Sequence, residues 1–144
     1  MTLFLSDAKL KSVLLLIIIT VLAPLTLSGQ ISLRVEILGL KSSNGQILLE
    51  LSNEKGEKIS SFIQTIEENR SVIVIKNLVP GRYSFKYFHD QNKNQILDLN
   101  RAGIPKEGFG FSNNAKGTFG PPSFKRTIFL LTGDTTLKCT PTYY

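Results

Sequence analysis

At 144 residues the chain is long enough for one domain and short for two. Its formal net charge of +6 comes from Lys and Arg spread along the sequence, with no basic run and no nucleic-acid motif, which excludes a nucleic-acid partner and leaves the charge as a matter of solubility. A single cysteine, Cys139, excludes an internal disulfide framework, so the fold must rest on its apolar core.

The chain opens with the layout of a secretory signal peptide over residues 1–29. Lys9 and Lys11 are followed by an apolar run over residues 13–22, then Pro24, then the small residues Ser28 and Gly29. The run to Leu27 is shorter than the ~20 residues that a spanning helix needs. No cysteine follows it to take a lipid anchor. The expected mature chain is residues 30–144, exported to the periplasm, the outer surface or the medium.

Residues 30–38 alternate, with Ile31, Leu33, Val35 and Ile37 on one side and Ser32, Arg34 and Glu36 on the other, which predicts a half-buried strand. Asn44-Gly45 predicts a tight hairpin, and residues 46–52 its return strand with Ile47, Leu49 and Leu51 inward. Residues 53–56 form the next turn, and residues 59–66 a third strand. The β-branched run Val72, Ile73, Val74, Ile75 predicts a strand covered on both faces.

After the turn at residues 79–81, Tyr83, Phe85 and Tyr87 share one face of a fifth strand and supply much of the core, each ring burying ~150–250 Å² when enclosed. Residues 126–132 and 135–140 read as two further strands joined by a hairpin turn at Gly133-Asp134. Cys139 reads there as a buried side chain rather than a nucleophile. The sum is an all-β, antiparallel immunoglobulin-like or transthyretin-like sandwich of about seven strands in a single domain over residues 30–144. A long irregular loop at residues 89–125, with room for one helical turn, interrupts it.

That loop carries the chemistry. Asp90, Asn92, Asn94 and Asp98 stand at positions 1, 3, 5 and 9 of an EF-hand-type spacing, with the Ile96 carbonyl at position 7. Gln95 replaces the turn glycine and Arg101 the closing glutamate, and Glu107 can reach the loop only if the chain folds back. The bound ion would be calcium, held weakly. The competing reading is an Asx-rich turn, whose side chains bond their own backbone.

His89 is the only histidine. With no nucleophile elbow and one Cys, the mature chain is poor in groups for catalysis or zinc binding. Residues 103–124 interleave glycines with Phe109, Phe111, Phe119 and Phe124. The phenylalanines pin the loop as a packed cap, or else form a ligand platform with His89, Phe109, Phe111, Asn113 and Asn114 as contacts.

The stretch LVPGRYSFKYFHDQNKNQILD, followed by GIPKEGFGFSNNAKGTFGPPSF, resembles the domain-of-unknown-function 2141 family of exported bacterial proteins, in which His-Asp-x-Asn-x-Asn-Gly-x-Leu-Asp is usual. His89, Asp90, Asn92, Asn94, Leu97 and Asp98 match, and Gln95 departs. The resemblance implies export and a sandwich similar to transthyretin-like and carboxypeptidase-regulatory-like domains. It brings no activity.

The sequence thus leads to a non-catalytic exported binding or cell-envelope accessory module that works through residues 90–124. The alternatives are a small metal-dependent hydrolase built on His89, Asp90 and Asp98, or a purely structural periplasmic domain. The expected partner is a cell-envelope component or a protein, with membrane contact only through an uncleaved targeting segment. Exposed loop aromatics would favour the binding module, and four buried phenylalanines the structural domain.

Overall fold

The structure, a computed structural model, describes residues 29–144; the stretch expected to be a signal peptide lies, apart from Gly29, outside the described residues. The elements in chain order are β1 (Ile31–Ile37), β2 (Gln46–Asn53), β3 (Lys58–Gln64), β4 (Ser71–Leu78), β5 (Gly81–Asp90), β6 (Phe109–Phe111), a 3-10 turn (Ser112–Asn114), α1 (Phe124–Thr127), β7 (Phe129–Leu131) and β8 (Thr135–Cys139). They build an all-β sandwich of two sheets. The smaller has the order β4-β1-β8. The larger runs β3-β2-β5, and the far edge of β5 is shared by β6, beside Lys86 to Phe88, and β7, beside Gly81 to Tyr83.

The core lies between the sheets. Leu33, Val35 and Ile37 of β1 meet Ile47, Leu49 and Leu51 of β2 and the Tyr83, Phe85 and Tyr87 row of β5 in one buried cluster. Phe129 of β7 closes it, with its ring edge-on to Phe85 at 5.7 Å between centroids, a favourable aromatic geometry. Among the described residues, every member of this cluster falls between Leu33 and Cys139.

The connectivity differs from the sequence reading. Strand alternation fixes which residues face the core, but not which sheet receives the strand. The predicted β1–β2 hairpin does not form, because β1 pairs with β4 and β8 while β2 pairs with β3 and β5. Gly45 does take a positive φ of 88°, but it turns the chain from one sheet to the other. A Cβ on Gly45 would lie 2.2 Å from the Asp90 carbonyl oxygen, so only glycine fits there. Gly133-Asp134 likewise joins strands of different sheets, and only β2–β3 is a local hairpin among these turns.

Further expectations are corrected at β8, at β4 and at residues 124–127. β8 lies parallel to β1, an exception in an otherwise antiparallel fold. β4 is an edge strand with Val74 44% exposed, so its β-branched run is covered on one face only. Residues 124–127 form a helical turn ahead of a strand shortened to Phe129–Leu131. The eighth strand is β6, inside the stretch read as irregular.

Candidate functional site

The outward faces of β2, β3, β5 and β6 line a trough of about 530 Å³. Its side chains form rows set by the register. Ile63, Leu48, Phe88 and Phe109 make an apolar row across four strands. Two residues along the strands, Ser61, Glu50, Lys86 and Phe111 make a second row. Lys86 Nζ is 2.9 Å from Glu50 Oε1, and Lys58 Nζ 3.9 Å from Glu50 Oε2, so two lysines share one carboxylate and leave a positive excess. A smaller lobe of about 210 Å³ continues past this charged row, with Ser52 and Ser84 in its floor and Phe111, Pro122 and Phe124 at its side.

The walls come from the long loop. Phe109 and Phe111 stand edge to face at 6.2 Å, and the Tyr144 ring lies 5.9 Å from Phe109. β6 is held on its free side by the chain terminus, since Phe109 and Thr142 exchange two backbone hydrogen bonds of 3.0 and 2.7 Å. Gly110 faces the core between these two phenylalanines, where a Cβ would lie 2.4 Å from the Tyr87 hydroxyl. That hydroxyl is buried without a partner, and burial pushes its pKa well above the ordinary phenol value. Gln95 and Leu97 of the Asp/Asn loop complete the rim.

The Asp/Asn loop is closed on itself. Asp90 is fully buried and accepts the N–H groups of Asn94 at 3.1 Å and Gln95 at 2.9 Å, with the Gln46 side-chain amide at 2.9 Å. Asn92 Oδ1 accepts the Asn94 N–H and Asn94 Oδ1 the Ile96 N–H, both two residues on, as Asx turns do. The side-chain amides of Asn92 and Asn94 donate to Asp98 at 2.7 and 3.3 Å. The chain does fold back: Glu107 is buried and receives the N–H groups of Gln91 at 2.9 Å and Asp98 at 3.2 Å. Gln95 sits at a φ of 63°, the left-handed conformation for which glycine is the natural residue. Among the described residues no group of three or more His, Cys, Asp or Glu is gathered as metal ligands.

His89 points the other way, into the core, and is fully buried. Its Nε2 is 2.7 Å from the Asn44 carbonyl and its Nδ1 2.8 Å from the Tyr143 hydroxyl. A carbonyl can only accept, so Nε2 carries a proton, and in the neutral ring Nδ1 accepts from Tyr143. Tyr143 also receives the Lys41 N–H at 3.2 Å, and burial raises its own pKa. Asn113 spans the Arg126 and Ile128 carbonyls at 3.1 and 2.9 Å, and Asn114 bonds Lys138 and Thr140 at 3.1 and 3.0 Å. These three side chains are thus engaged in holding the chain together.

Of the residues singled out in the sequence, Phe109 and Phe111 line the trough, and Phe119 and Phe124 are exposed instead of packed as a cap. The Asp/Asn set rims one end through Gln95 and Leu97, and His89 lies on the opposite face of its strand. Leu48, Glu50, Lys86 and Phe88 were missed. The signal was there: Leu48 and Phe88 are large apolar residues at positions that the alternation assigns to the outer face.

No curated protein and no solved structure matches the chain. The family model described as an uncharacterized protein conserved in bacteria, DUF2141, matches residues 35–138, which span the sandwich from β1 to β8 with the whole trough, and the chain belongs to that family.

Proposed function

We propose that this is a non-catalytic exported module that binds an extended, partly acidic peptide segment of a cell-envelope protein along the trough of the larger sheet. The observation that carries the reading is the order of its rows: an apolar row, then a row with two lysines on one glutamate, then a lobe edged by Phe111 and Phe124. Rows two residues apart on a strand are separated by roughly 6.8 Å, so three rows match about four to five residues of an extended chain. Alternate side chains of such a chain face one way. An aliphatic residue would sit over Leu48 and Phe88, an acidic one beside Lys86, and an aromatic one against Phe124.

Export rests on the layout of residues 1–29. The non-catalytic reading rests on the occupied nitrogens of buried His89 and on Cys139, whose burial pushes its thiol up to about 11. Neither group is placed as an accessible base or nucleophile.

The test is calorimetric titration of residues 30–144 with acetyl-Leu-Ser-Asp-Ser-Phe-amide. The expected result is saturable binding that weakens about tenfold in Phe88→Ala, from lost apolar burial. Lys86→Glu weakens it similarly, while replacing the peptide's Asp by Lys abolishes it. Equal binding by wild type and both variants overturns the assignment of the trough.

A further inference from the structure

Between β6 and β7 the chain makes an excursion that the trough does not use at its tip. Its two ends are clamped together. Buried Ser112 receives the Phe85 N–H at 3.0 Å and donates to the Thr127 carbonyl, and Asn113 bonds the Arg126 and Ile128 carbonyls. Higher up, the Arg126 guanidinium donates to the Lys116 carbonyl at 2.7 Å. A Cβ on Gly117 would lie 2.1 Å from the Gly120 carbonyl oxygen, so the two limbs touch there and only glycine allows it. Phe119 stands at the tip of this clamped base and is 102% exposed, the most exposed of the large apolar side chains among the described residues.

Along this segment of the chain the charge has one sign. Lys116, Lys125 and Arg126 are exposed, and no acidic residue occurs between Glu107 and Asp134. None of the ion pairs among the described residues involves these three. A single projecting phenyl ring without a concave surround is poor at docking a folded protein, which needs complementary area. It fits a surface that deforms around it. An apolar ring ahead of cationic side chains matches a layer with anionic headgroups outside and hydrocarbon beneath.

We propose that the Phe119 tip attaches the domain peripherally to an anionic lipid surface, with the ring entering the acyl boundary and Lys116, Lys125 and Arg126 meeting the headgroups. This attachment is independent of the trough and leaves the trough free for a segment of a neighbouring envelope protein.

The chain contains no tryptophan, so Phe119→Trp installs a single reporter at the tip. It touches no packed neighbour, so the fold is preserved. Residues 30–144 carrying this substitution are mixed with phosphatidylcholine vesicles, with and without phosphatidylglycerol. The expected result is a blue shift of the tryptophan emission with phosphatidylglycerol vesicles at low salt. It should be lost at high salt and in a Lys116→Glu, Lys125→Glu background. Co-sedimentation of Phe119→Ala should fall about tenfold or more relative to wild type. An emission that stays water-like with anionic vesicles, a shift equal with neutral ones, or undiminished binding of Phe119→Ala each overturns the proposal.

Discussion

Phe88, His89 and Asp90 are consecutive, and the period of two in β5 sends them to different chemistry. Phe88 joins the apolar row of the trough, His89 turns inward onto Tyr143 and Asn44, and Asp90 turns outward under a loop that wraps its carboxylate in N–H groups. Cys139 shows how burial governs reactivity. It is 1% exposed, and desolvation of the thiolate pushes its pKa from 9.0 to about 11. In the unfolded chain the thiol ionises near its ordinary value, so the folded state is at full advantage below 9.0 and loses it as pH rises toward 11. The loss amounts to about 2–3 kcal/mol. Urea unfolding of wild type and Cys139→Ala on either side of this window should show the stability gap between them shrinking at alkaline pH. A gap independent of pH would contradict the assignment.

At the scale of elements, β6 is a three-residue strand with a central glycine, held by pairing with β5 on one side and Thr142 on the other. Gly108 carries the next contact. A Cβ there would lie 2.3 Å from the Tyr143 ring, so Gly108→Ala is expected to displace Tyr143 from His89 and Lys41. The cost should be about 1–3 kcal/mol. In a double-mutant cycle the cost should largely vanish once Tyr143→Ala is already present. Additive costs would show that the tail does not bear on this glycine.

These elements also mark the limit of what the sequence discloses. The period-two face of β1, β2 and β5 was legible, and so was the burial of Tyr83, Phe85 and Tyr87, because alternation is a local signal. β6 was not, because three residues with a glycine at the centre are too short to show an alternation, and they become a strand only through their neighbours. The aromatic residues Phe109 and Phe111 could be singled out in the sequence, but their role as a wall needs Leu48, Phe88 and the terminus beside them.

At the scale of the molecule, two sheets share one core, and the turns that looked like hairpins pass between them. The crossings are fastened by side chains far apart in the chain. Asp134, in the turn before β8, accepts both the N–H and the hydroxyl of Ser32 at 2.7 and 2.9 Å, which lowers its pKa and ties the start of β1 to the opposite end of the chain. No periodicity discloses such a partner, or the parallel pairing of β1 with β8 that it secures. The result is a sandwich with one outer face open as a trough and one loop projecting from its edge.

The most direct test of this arrangement is an amide chemical-shift map of residues 30–144 during titration with acetyl-Leu-Ser-Asp-Ser-Phe-amide. The expected shifts concentrate at Leu48, Glu50, Lys86, Phe88 and Phe109 to Phe111, with the smaller sheet unmoved. Shifts confined to β4, β1 and β8, or no shifts at saturating peptide, would contradict it.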